Sequence, residues 1–401
     1  MNVVIVGAGP AGLMAAEVLA AEGHRVDVYD QRRSPARKFV LAGRGGLNLT
    51  HSEPIDDLLS RYGPERKNLE TAIRGFGPEE LREWCDVLGH ETFVGSSGRV
   101  FPKEFRAVPL LRSWLRRLGE LGVELHLGTT WTGWQDEQHL HFTRDGDRLV
   151  VSFDIALLAL GGASWPRVSS DGSWQDILRR KSIAVETFRS ANCGVDVSWS
   201  EVMIDRFAGE PVKNAAVAVS DIETGEVHSV RGDPVISQSG LEGGPIYAQG
   251  RRIRAHLGRG DTTTIAIDLF PDLTAASLYD RLATRKSGES AAKWLRRSGV
   301  APVGASLLRE ATQNNLPSDP REMAALAKAV PVTVTALGSI DRAISTAGGV
   351  AWHEVDESFQ LRKAPNVYVA GEMLDWEAPT GGYLLQGCFS TGHHAATAMI
   401  T

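Results

Sequence analysis

Residues 3–16, VVIVGAGPAGLMAA, decide the fold of this 401-residue chain. An apolar run over residues 2–6 stops at Gly7, and helix-forming residues follow from position 10 to position 21. This order predicts a strand, a tight turn and a helix. The next stretch, HRVDVYD at residues 24–30, alternates valines with polar residues and predicts a second strand. Strand, helix and strand together predict a βαβ unit with parallel strands.

The three glycines of GAGPAG each have a physical reason to be glycine. Gly7 permits the tight turn, Gly9 lets the backbone approach a pyrophosphate, and Gly12 lets the helix pack closely on the sheet. Asp30 lies 23 residues after Gly7, where a carboxylate binds an adenosine ribose and repels a 2′-phosphate. The pattern predicts FAD or NAD rather than NADP, with a purely structural turn as the alternative.

Composition excludes several other classes of protein. With 42% hydrophobic and 23% charged residues, the chain is long enough for two or three globular lobes. A net charge of −6 argues against a nucleic-acid partner, although local basic clusters remain compatible with it. Cys85, Cys193 and Cys388 form no CxxC pair, so no metal site or disulfide framework is predicted. No leader or membrane-spanning run is recognisable, and a reducing cytoplasm is expected.

The closing segment distinguishes FAD from NAD. NVYVAGEMLDWEAPTGGYLLQGCFSTGHHAA, residues 366–396, resembles the last motif of the two-dinucleotide-binding flavoproteins. The resemblance implies that Gly371 and Glu372 meet the ribityl chain or pyrophosphate, and that the segment from Gly381 to Leu384 offers N–H groups to the pyrimidine side of the flavin. A helix N-terminus there would stabilise the negative charge of a reduced flavin by about 1 kcal/mol.

Three further segments extend the resemblance along the chain. They are ARKFVLAGRGGLNLTH (residues 36–51), LLALGGASWPRVSSDGSW (157–174) and STAGGVAWHEVD (345–356). Together with the two motifs above, they resemble the NAD(P)/FAD-dependent oxidoreductase family of bile-acid-reductase-like flavoproteins, the BaiN/YhiN type. That family carries an Arg-Cys pair where this chain has Gly46 and Leu47 before Asn48. The role of that cysteine is therefore not carried over, and the chain is expected to form a side branch.

The expected fold class is α/β. The resemblance implies a Rossmann-like FAD domain of the two-dinucleotide-binding type, made of residues 1–188 and 335–401. Residues 191–268 are rich in valine, threonine, glycine and proline, and residues 271–330 show helical patterns. We therefore expect an inserted β-rich, barrel-like domain at 189–270 and an inserted helical domain at 271–334.

The segments yield a set of predicted cofactor contacts and one candidate catalytic residue. Tyr383 is the candidate proton donor, and an aromatic side chain that braces the turn is the alternative. Four tryptophans in or beside the presumed flavin segments are candidates for stacking on a planar hydrophobic substrate, with core packing as the simpler account. They are Trp165, Trp174, Trp352 and Trp376. The predicted cofactor-binding residues are Gly7, Gly9, Pro10, Ala11, Gly12, Asp30, Gln31, Arg37, Lys38, Gly43, Arg44, Gly45, Gly46, Leu47, Asn48, Trp131, Ala159, Leu160, Gly161, Gly162, Gly371, Glu372, Gly381, Gly382, Tyr383 and Leu384.

The predicted function is an FAD-dependent oxidoreductase that takes electrons from NAD(P)H and reduces a C=C bond in a hydrophobic small molecule. No second GxGxxG occurs in the sequence, so NAD(P)H is expected to dock transiently. Three alternatives stay open: a flavin-dependent monooxygenase or oxidase, an FAD-binding protein that acts on RNA, and a non-catalytic FAD scaffold. No nucleic acid and no membrane are expected among the partners.

Overall fold

The computed structural model describes residues 1–168 and 170–401, apart from the side chain of Arg44. These residues form two compact units. The first unit contains Met1–Arg189 and Ile344–Thr401, and the second contains Ser190–Ala343. The first unit is therefore built from both ends of the chain. Among the described residues, no helix combines the length and the apolar character that crossing a membrane requires.

The strands are short, and most have two to six residues. In chain order they are β1 (Asn2–Val6), β2 (Arg25–Asp30), β3 (Thr50–His51), β4 (Thr92–Val94), β5 (Arg99–Pro102), β6 (Glu124–Leu127), β7 (Thr129–Trp134), β8 (His139–Arg144), β9 (Asp147–Ser152), β10 (Ile155–Leu158), β11 (Arg189–Ala191), β12 (Val195–Asp196), β13 (Ala215–Ser220), β14 (Val227–Gly232), β15 (Val235–Ile236), β16 (Gly240–Glu242), β17 (Thr263–Asp268), β18 (Val330–Val334), β19 (Ala336–Leu337), β20 (Ser345–Ala347) and β21 (Val367–Val369).

The helices alternate with these strands and include one long helix at the end of the chain. In chain order they are α1 (Pro10–Ala21), α2 (Arg37–Ala42), α3 (Ile55–Ser60), α4 (Arg66–Gly75), α5 (Pro78–Val87), α6 (Ala107–Glu120), α7 (Trp174–Arg180), α8 (Glu201–Phe207), α9 (Gly244–Leu257), α10 (Ala275–Leu282), α11 (Ala291–Arg297), α12 (Pro302–Ala311), α13 (Pro320–Lys328) and α14 (Tyr383–Ile400).

A parallel sheet organises the first unit. Within the described chain, its strand order is β21-β10-β1-β2-β6. The predicted βαβ unit is confirmed, because β1 pairs with β2 in parallel, with Val4 opposite Asp27. Both faces of β1 are covered, and Val3, Val4 and Ile5 are fully buried. An apolar run without alternation is typical of such a strand. The predicted α/β Rossmann-like class is therefore confirmed.

The first and last long helices of the chain pack directly against each other. A Cβ atom added at Gly392 in α14 would lie 2.3 Å from the carbonyl oxygen of Ala11 in α1. That distance is far below any van der Waals contact, so glycine is what lets the two helix backbones approach. The segment before α14 also adjoins α1, because a Cβ added at Gly371 would lie 2.8 Å from the Ala11 Cβ.

The second unit is dominated by antiparallel pairing. Its described strands form one sheet of order β15-β16-β12-β19 and another of order β14-β13-β17-β18. Side chains of strand residues such as Ile265 and of helix residues such as Leu278 and Leu307 share one hydrophobic core. The finer division of this region at residue 270, and its barrel-like form, stay predictions.

Candidate functional site

The glycine turn connects β1 to α1 at the carboxyl edge of the sheet. Gly7 has φ +111°, and a Cβ added to it would lie 2.2 Å from the carbonyl oxygen of Ala159, just after β10. Gly9 precedes α1, and a Cβ added there meets no heavy atom of the described residues within 4 Å. Pro10 and Ala11 begin α1. The N–H groups at the start of this helix thus adjoin open space that fits a phosphate.

Asp30 ends β2 beside this turn. Its Oδ2 accepts a hydrogen bond from the Ala8 N–H at 2.8 Å, and its Oδ1 accepts one from the Arg32 N–H at 2.7 Å. Burial raises the pKa of Asp30, and these two hydrogen bonds oppose the rise. A carboxylate has about four lone-pair sites, so both oxygens can still accept from a ribose. Gln31 follows and is half-buried.

Lys38 and Glu372 form an ion pair that joins the two ends of the chain. The Lys38 Nζ lies 2.7 Å from the Glu372 Oε2, and the side chains are 25% and 13% exposed. Lys38 also donates to the Ser164 Oγ at 2.7 Å. The Glu372 Oε1 accepts the Thr346 N–H at 2.9 Å. Glu372, predicted to meet the ribityl chain, is therefore oriented by Lys38 and Thr346.

Thr346 and Ser164 are missing from the predicted set of site residues. The Thr346 Oγ1 accepts hydrogen bonds from the N–H groups of Ala163 and Ser164, at 2.9 and 3.1 Å. A Cβ added at Gly162 would lie 2.5 Å from the same oxygen. Both residues belong to segments that the sequence marked, the glycine-rich crossing and STAGGVAWHEVD, and their glycines are the signal that could have found them.

The N-terminus of α14 faces the segment that contains β3. Gly381 and Gly382 have φ values of +134° and +100°. A Cβ added at Gly382 would lie 2.5 Å from backbone atoms of Thr50, so this close approach requires glycine. Tyr383 and Leu384 begin the helix, and the N–H groups of its first turn have no intrahelical acceptor. These groups and the helix dipole favour a partner with negative charge.

Buried polar oxygens without a hydrogen-bond partner among the described residues occur in and near this helix. They are the Thr50 Oγ1 beside the start of α14, the Asn48 Oδ1 two residues before Thr50, and the Gln386 Oε1 in α14 itself. Leaving such an atom unsatisfied costs about 1–3 kcal/mol, so native proteins rarely do so without a ligand or water. A polar, planar pyrimidine ring would supply the missing hydrogen bonds. The residues at this place therefore fit the predicted flavin.

Tyr383 lies at the centre of a polar network on the same side. Its hydroxyl donates to the Glu53 Oε1 at 2.7 Å, and Arg61 pairs with Glu53 at 2.6 Å. The His51 ring stacks on the Tyr383 ring with centroids 5.4 Å apart. The hydroxyl of Tyr62 donates to the Tyr383 carbonyl at 2.7 Å. Burial, and then the hydrogen bond to Glu53, raise the pKa of Tyr383, so the phenol keeps its proton at neutral pH.

Other predicted cofactor contacts lie within these segments, and several of them also have neighbours in the protein. Gly43 packs against Ala107, because an added Cβ would lie 2.6 Å from the Ala107 Cβ. Leu47 is fully buried, and Gly161 accepts a hydrogen bond from the Trp174 indole at 2.9 Å. A Cβ added at Gly12 would lie 2.0 Å from the Gly7 carbonyl oxygen, whereas a Cβ added at Gly45 meets no described atom within 4 Å. Gly46 adjoins Phe101 and Phe105, and Gly371 adjoins Ala11. Arg37 is exposed at the start of α2, and Leu160 is half-buried.

Two members of the predicted set stand apart from this group. Trp131 lies on the antiparallel sheet β7-β8-β9, where its ring packs edge-on against Trp134 with centroids 4.9 Å apart. The Trp131 Nε1 is buried without a partner among the described residues. The side chain of Arg44 lies outside the described residues. A contact of either residue with the cofactor stays a prediction.

Asp375 lies in the loop between β21 and α14. Burial, and then the negative charges of Glu65 and Glu186, raise the pKa of Asp375 from its ordinary value of 3.8 to about 6. The charge of Glu377 acts in the same direction, and Arg189 opposes it. The loop therefore holds a carboxyl group that changes its charge near neutral pH.

This carboxyl group makes stability depend on pH. Because its pKa is higher in the folded state, the protonated form favours folding and that contribution is lost as pH rises from about 4 to about 6. Asp375→Asn is expected to be about 1–2 kcal/mol more stable than the wild type at about pH 7.5, and equal to it at about pH 4. Urea unfolding at both pH values measures this, with the exposed Asp57→Asn as control. If Asp375→Asn and the wild type differ in stability by the same amount at both pH values, the raised pKa of Asp375 is contradicted.

These features define a dinucleotide-binding flavoprotein. They are the Rossmann-type sheet, the glycine turn with Asp30 beside it, and the N-terminus of the last helix next to buried polar atoms that lack hydrogen-bond partners. The chain belongs to the HI0933-like protein Rossmann domain family, whose model matches residues 1–398. It is an FAD-dependent oxidoreductase, so the predictions of the family, of an enzyme and of FAD are confirmed.

Full-length relatives support this assignment. A 3-dehydro-bile acid delta(4,6)-reductase of Clostridium scindens is 24% identical over 413 residues, which cover 98% of this chain and 98% of the relative. A ribosomal RNA dihydrouridine synthase of Escherichia coli is 21% identical over 411 residues, which cover 100% and 98%. The solved 3-ketosteroid-delta4-(5alpha)-dehydrogenase of Rhodococcus jostii has the same fold, with a TM-score of 0.53, 13% identity, and coverage of 100% of this chain and 97% of that one.

Proposed function

We propose that this enzyme reduces a C=C bond in a hydrophobic small molecule, with NAD(P)H as the electron donor. The observation that carries the proposal is the N-terminus of α14, because its free N–H groups favour the negative charge of a reduced flavin ring. The unpaired oxygens of Asn48 and Thr50 add polar groups that need a hydrogen-bond partner. The two full-length relatives support it, because both of their names denote enzymes that saturate a C=C bond.

Each part of the site has a separate task in this proposal. The turn at Gly7 and Gly9 would bind the pyrophosphate, and Asp30 would bind the adenosine ribose. Lys38 and Glu372 would orient the chain that joins the pyrophosphate to the ring. Bound FAD supplies the hydride transfer, and the protein supplies orientation and one proton.

We propose Tyr383 as the proton donor. Tyr383→Phe is expected to slow reduction of the substrate about tenfold, because water can replace the phenol only in part. Reduction of the flavin by NAD(P)H should stay within about twofold of the wild type, since the phenol has no part in it. Anaerobic stopped-flow measurement of both half-reactions checks this, with Tyr279→Phe as the matched control. Equal slowing of both half-reactions would assign Tyr383 a structural role.

Anaerobic mixing of the FAD-loaded enzyme with NADH and with NADPH tests the proposed function. The flavin absorbance should bleach with at least one nucleotide, and addition of 4-androstene-3,17-dione should restore it and yield a product two hydrogens heavier by mass spectrometry. No bleaching with either nucleotide would overturn the NAD(P)H-driven reductase. Rapid recovery with oxygen and a hydroxylated product would instead identify a monooxygenase.

Uridine in RNA is a second candidate substrate, and the full-length match to the Escherichia coli ribosomal RNA dihydrouridine synthase favours it. The net charge of −6 opposes it, because RNA binding depends on cationic surface. Incubation of the reduced enzyme with uridine-containing ribosomal RNA distinguishes the two. Dihydrouridine in digested RNA, without steroid reduction, would replace the small-molecule proposal.

A further inference from the structure

A serine, a histidine and a glutamate beside helices α5 and α6 form a chain of hydrogen bonds outside the flavin site. The Ser113 Oγ lies 3.0 Å from the His90 Nε2, and the His90 Nδ1 lies 3.3 Å from the Glu104 Oε1. Ser113 lies in α6, His90 follows the end of α5, and Glu104 lies between β5 and α6. We call these three residues the Ser-His-Glu triad.

The chemistry of the three groups determines the direction of both hydrogen bonds. A carboxylate can only accept, so the His90 Nδ1 donates its proton to Glu104. A neutral imidazole carries one ring proton, which leaves the Nε2 as an acceptor, and the Ser113 hydroxyl donates to it. A histidine activates a serine as a nucleophile through this same order of donors and acceptors.

The backbone turn at the end of α5 positions the histidine. Gly89 has φ +83°, and the His90 N–H donates to the Cys85 carbonyl at 2.9 Å. Glycine favours this left-handed turn, which commonly ends a helix. The His90 side chain is only 10% exposed, so the surrounding protein restricts its ring to the orientation that faces Ser113.

A pair of contacts between the neighbouring residues brings Glu104 to the histidine. The Lys103 N–H donates to the Glu91 carbonyl at 2.9 Å, and the side chains of these two residues form an ion pair. His90 and Glu104 come next to this pair in the chain, so they meet as well. The Glu104 side chain is 42% exposed, and water screens its charge. We therefore expect it to orient the ring less strongly than a buried carboxylate would.

The serine faces a cleft between the end of α5 and α6. The cleft has a volume of about 360 Å³, and Ser113 and Arg116 are among the residues that line it. Val87, Leu88 and Leu121 supply the apolar part of the lining, and Val87 is 69% exposed. Ligand sites span roughly 300–1,000 Å³, so this cleft suits a small molecule with an apolar group.

Arg116 is placed to stabilise negative charge in this cleft. It lies three residues after Ser113 in α6, so both side chains are on the same side of the helix. Its Nε is 4.0 Å from the Glu120 Oε1, whereas the neighbouring Arg117 is held by the buried Glu17 at 2.8 Å. A guanidinium beside the serine would stabilise the oxyanion that forms when the hydroxyl attacks a carbonyl group.

We propose that the Ser-His-Glu triad is a second catalytic site, which hydrolyses small esters with an apolar acyl group. The Ser113 Oγ bonds to the ester carbonyl carbon while its proton passes to the His90 Nε2. The bond from that carbon to the alcohol oxygen then breaks, and the alcohol leaves with the proton from His90. Water attacks the acyl-serine and gives a proton to His90, the carboxylic acid leaves, and the proton returns to the Ser113 Oγ. The inference is independent of the proposed function, because no step uses the flavin.

Labelling of the FAD-loaded enzyme with a fluorophosphonate tests the proposal. The probe should modify Ser113, and peptide mass spectrometry identifies the labelled residue. His90→Gln should slow the labelling at least about 100-fold, because the serine then lacks its base. The first measurement needs only the wild-type protein, so it decides the proposal even if a variant does not fold.

Hydrolysis of p-nitrophenyl butyrate by the same protein is the second measurement. The kcat should fall at least about 100-fold in Ser113→Ala. It should fall about tenfold in Glu104→Gln with little change in KM, because Glu104 acts by orienting His90. Ser277→Ala is the matched control and should keep the wild-type rate, since the Ser277 hydroxyl lies in a helix but bonds to the Thr274 hydroxyl at 3.0 Å.

Three results would overturn the second catalytic site. They are the absence of the label from Ser113, labelling that His90→Gln does not slow, and ester hydrolysis that Ser113→Ala leaves unchanged. In the last case another nucleophile of the protein accounts for the hydrolysis. A flavin that NAD(P)H does not bleach would contradict the proposed function alone, because ester hydrolysis needs no electron donor.

Discussion

Gly9→Val is expected to abolish retention of FAD while the protein stays folded. A Cβ at Gly9 meets no described heavy atom within 4 Å, so the first side-chain carbon of the valine has room in the apoprotein. The same space is where a pyrophosphate would approach the N-terminus of α1. We expect the affinity for FAD to fall at least about 100-fold, or about 2.7 kcal/mol. The cost to folding should stay near 1 kcal/mol, because valine is a poorer N-cap residue than glycine.

Titration of the apoprotein with FAD measures the affinity, and circular dichroism with urea unfolding measures the fold. Gly119→Val is the matched control, because a Cβ at this exposed glycine in α6 also meets no described atom within 4 Å. The control should bind FAD like the wild type. Normal FAD affinity of Gly9→Val would remove the glycine turn from the site, and unfolding of the variant would show that the space around Gly9 is structural.

Glu17→Ala is expected to destabilise the first unit by about 3 kcal/mol. The Glu17 side chain is 6% exposed and pairs with Arg117 at 2.8 Å. Its Oε2 also accepts the indole N–H groups of Trp84 and Trp114, at 3.1 and 2.6 Å. Removal of the carboxylate leaves two buried indole donors unsatisfied, each at about 1–3 kcal/mol, and leaves Arg117 without its partner.

The urea midpoint, followed by tryptophan fluorescence, reports this loss directly because both indoles are involved. Glu17→Gln keeps an acceptor oxygen, so we expect it to lose less stability than the alanine variant. Glu22→Ala, at the exposed end of the same helix, should stay within about 0.5 kcal/mol of the wild type. Equal stability of Glu17→Ala and Glu22→Ala would contradict the proposed role of the buried carboxylate.

Sequence patterns predicted the secondary structure that forms between residues close together in the chain. The strand, turn and helix at residues 2–21 and the second strand ending at Asp30 follow from periodicity and glycine spacing. The resemblance predicted the return of the chain to the first unit, because the closing motif has its own glycine pair before α14.

The sequence did not yield the contacts that join distant segments. Lys38 pairs with Glu372, and the partners Ser164 of Lys38 and Glu53 of Tyr383 were missed, because only the fold brings these segments together. No spacing rule relates such positions, and a single charged residue in a loop is usually a solvated one.

The FAD content of the purified chain tests the central claim most directly. We predict one tightly bound FAD per chain, visible as yellow protein with the blue absorption band of a flavin, because the glycine turn and the N-terminus of α14 lie in one unit. Colourless protein that takes up no FAD on reconstitution would contradict the account of the site and of everything proposed from it.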